Sequence, residues 1–280
     1  MHANNPFLES YDFEALTQHH PSLKQFVFVN KYGAETIRFA NQKAVKALNA
    51  ALLKMQYKIL WEIPNENLCP PIPGRLDYLL HIDELVAKKK IHLLDIGAGA
   101  NLIYPILAVC HFKWSCTASE TNMKSLRHAE EIIKKNPTLS AVVLRAQKNE
   151  KSILENIILP DDFFDVVVCN PPFYKSAEDA QKQNQRKVKN LKIRATTPLN
   201  FGGLSNELWT EGGEVFFLKK MILESTKFKN QVHWFTSLVS KREHIKSLLH
   251  TMKKTKPKHY KVIDLDLGNK SSRVIAWTFT

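Results

Sequence analysis

Hydrophobic positions fall into two patterns along this chain. Before about residue 90 they recur at helical spacing. Asn41 caps a helix in which Val45, Leu48, Leu52 and Met55 share one face, while Lys43, Lys46, Lys54 and Lys58 lie mostly off it. Cys69-Pro70-Pro71-Ile72-Pro73-Gly74 breaks regular structure and predicts a stiff linker, with Arg75 at the head of a helix over 76–88. From Ile91 onward, apolar runs of strand length alternate with helical stretches. Strands are predicted at 91–96, 114–119, 141–146, 163–169 and 232–238, and helices from Leu102, over 122–135, from Glu211 and over 241–252. A closing antiparallel pair, 260–267 and 273–279, turns at Gly268-Asn269-Lys270. Strand–helix alternation defines an α/β fold with a doubly wound sheet, whose ligands bind beyond the carboxyl ends of the strands.

One segment departs from the alternation. Residues 174–212 are too polar for a core and read as an insertion. Between 174 and 200 it carries seven basic residues against Glu178 and Asp179. A second basic cluster, 241–261, has eight basic residues and one acid, whereas residues 1–74 are nearly balanced at seven basic to six acidic. The net charge of +13 and pI near 9.5 point to a polyanionic partner. If both clusters flank the site, both engage phosphates. The four cysteines show no CxxC spacing, which excludes a disulfide framework or zinc site, and no metal is expected. No basic-then-apolar leader and no 18-residue apolar run occur, so a soluble, cytoplasmic chain without membrane contact is expected.

The chemistry is carried by the strand ends. Phe163 to Cys169 is a buried-strand run that stops at Asn170-Pro171-Pro172-Phe173, because proline has no N–H for a sheet ladder. An exocyclic base amine is a poor nucleophile, since its lone pair is delocalised into the ring. The Asn170 side-chain carbonyl and the Pro171 backbone carbonyl are two acceptors that could hold its hydrogens, and Phe173 offers a stacking face. The bare motif is equally a proline-terminated core strand. Asp95-Ile96-Gly97-Ala98-Gly99 ends the first strand of the alternating part, and Glu120 ends the next, where an acid would receive ribose hydroxyls. Leu102 stands where a dinucleotide fingerprint needs its third glycine, which disfavours a nicotinamide cofactor. An S-adenosylmethionine site, with Asp95, Gly97 and Gly99 in its loop, fits better.

With those residues in view, a family resemblance is specific and runs nearly end to end. It is carried by Phe39-Ala40-Asn41 with Ala44 to Leu48, Pro70 to Tyr78, Asp95 to Pro105 and Ser119-Glu120-Thr121. Gln147-Lys148, Asn170 to Phe173, Asn200 to Gly203, Glu211 to Glu214, Trp234 to Ser237 and Ala276 to Phe279 continue it. The chain resembles the bacterial 23S rRNA adenine-N6 methyltransferases, whose eukaryotic relatives methylate adenine in U6 snRNA. The resemblance implies a class I S-adenosylmethionine-dependent methyltransferase, Rossmann-like with a mixed seven-stranded sheet, over 75–280, preceded by an RNA-engaging module and linker over 1–74. It implies donor contacts from Arg75, Gly97, Glu120, Asn149 and Asn170, and adenine held by Asn170, Pro171, Pro172 and Phe173. RNA contacts are expected from Lys148, Lys187, Lys189 and Lys192. The expected substrate is 23S rRNA or its assembling large-subunit particle, met by a monomer. Rival readings are methylation of another structured RNA, of adenine in DNA, or of a protein glutamine. The DNA enzymes usually carry a larger target-recognition domain, and the glutamine enzymes do not need flanking basic clusters.

Overall fold

The computed structural model describes residues 1–176, 209–267 and 270–280, with the side chains of 266, 267, 270 and 271 left aside. Lys187, Lys189, Lys192 and the Gly268-Asn269 turn lie outside the described residues.

The amino-terminal part builds α1 (Phe13–His19), a two-stranded antiparallel pair β1 (Val27–Val29) and β2 (Glu35–Ile37), and α2 (Gln42–Tyr57). Asp12 caps α1, and Asn41 caps α2 by accepting from Lys43 N and Ala44 N. Helix α3 (Ile72–Val86) corrects the expected linker, because it begins inside the proline-rich stretch. Proline is tolerated in a first helical turn, where its missing N–H would have had no partner, so Pro73 fits as the second residue of the helix. The same shift buries Arg75 in that turn, at 9% exposure.

The chain then winds through β3 (His92–Ile96), α4 (Ile103–Phe112), β4 (Ser115–Glu120), α5 (Met123–Lys135), β5 (Val143–Ala146), β6 (Phe164–Cys169), α6 (Gly213–Ser225), β7 (Val232–Val239), α7 (Arg242–Thr255), β8 (His259–Leu267) and β9 (Lys270–Thr278). One seven-stranded sheet results, in the order β5-β4-β3-β6-β7-β9-β8. β3 to β7 are parallel and β9 runs antiparallel to both neighbours. The fold is therefore the mixed, doubly wound sheet expected. Alternate residues face opposite ways. Leu93, Val166, Val168 and Ala276 pack with α2, α3 and α4 on one side, while Leu94, Val167, Phe235 and Trp277 pack with α6 and α7 on the other. All of β6 is buried, which is why it reads as an unbroken apolar run. No helix among the described residues is long and apolar enough to cross a membrane.

The parallel register gives the sheet two distinct edges. Carboxyl ends at Ile96, Glu120, Cys169 and Val239 share one, and amino ends at His92, Ser115, Phe164 and Val232 share the other. This corrects the idea that the whole 241–261 cluster flanks the site. Helix α7 starts at the carboxyl edge and runs back over 14 residues, about 21 Å. His259 pairs with Thr278, at the amino edge, so Lys253 to Lys258 lie at the far end.

Candidate functional site

Four strand ends converge at the carboxyl edge. Asp95 pairs across the sheet with Val168, and Ile96 with Cys169, which sets the loop after β3 beside Asn170. Gly97 has φ +78° and Gly99 has φ +60°, left-handed conformations that a Cβ would strain, and the space above Gly97 is open. That loop is tied to β4: Gly97 N and Ala98 N both donate to Ser119 O at 3.0 Å, and Gly99 N donates to Glu120 Oε2 at 2.8 Å. Glu120 is 7% exposed. Its Oε1 accepts from Thr121 N at 2.8 Å and Asn122 N at 2.9 Å. A carboxylate has about four lone-pair sites, so Oε2, with one bond accepted, retains one.

Around this frame lie buried polar groups that other groups of the fold leave unmatched. Both carboxylate oxygens of Asp95 and Oδ1 of Asn170 are buried without a hydrogen-bond partner among the described residues. Arg75 donates to Tyr104 Oη at 3.2 Å and lies over its ring, but has no carboxylate partner among the described residues. Orphaned acceptors beside a buried guanidinium fit a zwitterionic amino acid: Arg75 would hold its carboxylate, Asp95 its ammonium and Glu120 a sugar hydroxyl, with Asn170 Oδ1 left open beside them. These are the functional groups of S-adenosylmethionine.

Burial pushes the Asp95 carboxyl well above its ordinary range; the Glu120 charge raises it further and Arg75 opposes the shift. A raised carboxyl pKa means that the folded state binds more protons than the unfolded chain. The contribution of Asp95 to stability is thus present below its unfolded pKa and is lost as pH rises toward the folded one. Without donor, Asp95→Asn should flatten the decline of thermal stability above pH 4 and melt higher than the parent at pH 7. A variant that melts lower at pH 7 would contradict this reading.

Asn149 is placed apart from this set. Its Oδ1 accepts from Lys151 N and its Nδ2 donates to Ser152 Oγ at 2.9 Å, so both ends of the amide serve its own loop. Lys148 is exposed at the same edge. After Phe173, Tyr174 bridges Trp209, and Thr210 N donates to Tyr174 O at 3.0 Å. Both ends of the basic insertion are therefore anchored at the motif. A Cβ on Gly213 would meet Lys175 Cγ at 2.8 Å, so that close approach requires glycine.

Several groups escaped the sequence reading. Glu214, 1% exposed, accepts from Ser240 N and pairs with His244 Nδ1, bracing α6 and α7 at the carboxyl edge. Tyr78 and Thr236 bond at 2.7 Å, linking α3 to β7 through the core. Glu214, Tyr78 and Thr236 lie in stretches that carry the resemblance, but the pairings themselves were not legible, because the partners lie far apart in sequence. Among the described residues, His2, His81 and Glu84 bring one ligand atom each within 4.8 Å of one another. Asn4 N donates to His2 Nδ1, which leaves Nε2 as the N–H donor to Glu84 at 2.9 Å, so both ring nitrogens are engaged within the protein. All four cysteines are free, and burial raises Cys69 and Cys110 to about 11, far from a reactive thiolate.

The sheet order and the cluster at its carboxyl edge are those of a class I S-adenosylmethionine-dependent methyltransferase. The chain belongs to the family described as RNA methyltransferase, whose match spans residues 1–280. It is 46% identical over 285 residues to the ribosomal RNA large subunit methyltransferase F of Christiangramia forsetii, covering 100% of both chains. Identity to the protein of the same name from Pectobacterium atrosepticum is 45% over 288 residues, covering 100% of this chain and 93% of that one. The human METTL16 catalytic domain in complex with the MAT2A 3′UTR hairpin 1 superposes with a TM-score of 0.85 at 27% identity, covering 100% of this chain and 96% of that chain.

Proposed function

We propose that this enzyme methylates the N6 amine of one adenine in 23S rRNA, or in the large-subunit particle assembling on it, with S-adenosylmethionine as donor. The observation that carries the reading is the Asn170 Oδ1, buried and without partner at the end of β6 beside the equally unmatched Asp95. When bound, S-adenosylmethionine supplies a sulfonium methyl carbon that is already electrophilic. The protein's part is then positioning. Asn170 Oδ1 and the Pro171 carbonyl accept the two amine hydrogens and turn the nitrogen lone pair toward the donor, and Phe173 stacks on the base. The methylated amine sheds one proton to water. Arg75, Asp95, Gly97, Gly99 and Glu120 hold the donor. Asn149, with its side chain committed to its own loop, contributes through that loop's backbone. The large-subunit rRNA named for the bacterial relatives and the RNA hairpin named for the human neighbour support RNA as substrate. Residues 1–74 act as the RNA-engaging module ahead of the methyltransferase domain.

Incubation with isotopically labelled donor, followed by separation of RNA, DNA and protein and by nucleoside analysis, tests the reading. Label in N6-methyladenosine of 23S rRNA is expected; label in DNA or in protein glutamine would overturn it. Lys148 and the insertion lysines add a second test. Neutralising Lys187, Lys189 and Lys192 together should reduce the slope of log affinity against log salt by about 2 units, at about 0.7 per single-strand phosphate contact, and leave donor affinity unchanged. Filter binding across a salt series measures it, and parallel lines for parent and variant would rule out phosphate contacts by these lysines.

A further inference from the structure

The amino edge of the sheet, the end remote from Asn170, is itself cationic. Lys89 and Lys90 precede β3, Lys229 precedes β7, and Lys254, Lys256 and Lys258 precede β8; all six are exposed. From β3 to β8 the sheet order is β3-β6-β7-β9-β8, four strand spacings or about 19 Å. Several acids at this edge are already neutralised. Asp165 pairs with Lys88 at 2.6 Å, Asp162 with Arg145, and Glu155 with Lys227. Among the described residues Asp83, Glu84 and the exposed Asp161 remain, three acids against six lysines. Of the six lysines, Lys229 lies over the Phe279 ring at 4.9 Å, and none forms an ion pair among the described residues. Cations gathered from three separate loops without matching acids repel one another and cost stability, and a polyanion relieves that repulsion.

We infer that this edge is a second RNA-binding face, which grips the phosphates of a helix flanking the target adenine. The inference rests on RNA being the substrate and names what kind of RNA it is. The two edges are separated by the length of the central strands, about 17–20 Å for five or six residues. A short strand threaded past Asn170 does not reach both; a folded RNA that wraps the sheet does. The lysine row is long enough to follow several successive phosphates. An anionic membrane surface would also meet lysines, but RNA is the polyanion that this family of enzymes acts on.

The test compares the parent with the triple variant Lys90→Gln, Lys254→Gln, Lys258→Gln on two RNAs. One is a short single strand bearing the target adenine, and the other is the same adenine within its full folded rRNA domain. On the long RNA the variant should raise KM on the order of tenfold to a hundredfold, and the salt slope should fall by about 2–3 units, at about 0.9 per duplex phosphate. On the short RNA both KM and kcat should match the parent, which also shows that the variant is folded. Equal behaviour on the long RNA, or equal losses on both RNAs, overturns the inference. So does loss of binding to phosphatidylserine vesicles with rRNA affinity unchanged, which would assign the face to membranes. If the parent methylates neither RNA, the functional reading fails rather than this one.

Discussion

Asn170→Ala should lose methyl transfer by a factor of roughly 30 to 1,000 while the protein folds as before. The loss corresponds to about 2–4 kcal/mol, the usual cost of removing one pre-aligned hydrogen bond that matters in the transition state. Retained folding follows from the structure. Oδ1 is buried with no partner among the described residues, so its removal breaks no hydrogen bond at that atom there and relieves an unmatched acceptor. A structural asparagine would behave the opposite way, destabilising the fold and lowering activity only in proportion. Single-turnover rates with labelled donor, measured beside thermal unfolding, distinguish the two. Unchanged turnover, or a melting temperature that falls with the rate, would remove Asn170 from the chemistry.

What could be read from the sequence was whatever one run of residues encodes by itself. Strand β6 is buried on both faces, so Phe164 to Cys169 had to be uniformly apolar, and its abrupt end at two prolines marked the carboxyl edge. Asn41 precedes a helix whose first N–H groups need a partner, and that cap forms; Asn122, read as the first residue of its helix, caps it instead. The start of α3 was misjudged for an equally local reason: proline usually breaks helices, and only its position in the first turn makes it compatible with one. The small pair β1 and β2 was not anticipated, because three-residue strands carry too little period to register.

Charge was visible as composition but not as placement. The run from Lys241 to Lys261 looks like a single patch in sequence, yet α7 carries its start and its end to opposite edges of the sheet. Likewise the sequence places Arg75 only at the head of a helix, and it is the fold that buries it against Tyr104. A desolvated guanidinium without a carboxylate gains far more from an incoming one than an exposed lysine would, so burial is what would let Arg75 bind.

Glu120→Ala carries two separable effects. Its carboxylate fixes Gly99 N, Thr121 N and Asn122 N, so truncation leaves three backbone donors to find other partners. At about 1–3 kcal/mol for a buried donor left unmatched, offset by water entering the space, stability should fall by about 2–5 kcal/mol. Donor binding should weaken by about 1.5–3 kcal/mol, the worth of one hydrogen bond to a charged acceptor, because Oε2 has one lone pair left to give. Melting without ligand reads the first effect. Calorimetric titration well below the melting temperature reads the second. A donor analogue lacking the ribose hydroxyl that Glu120 accepts sharpens the result. The parent should lose about as much affinity for the analogue as the variant loses for the true donor, and the variant should discriminate little between donor and analogue. If the variant discriminates as strongly as the parent, Glu120 braces the glycine loop only, and the ribose is held by another group.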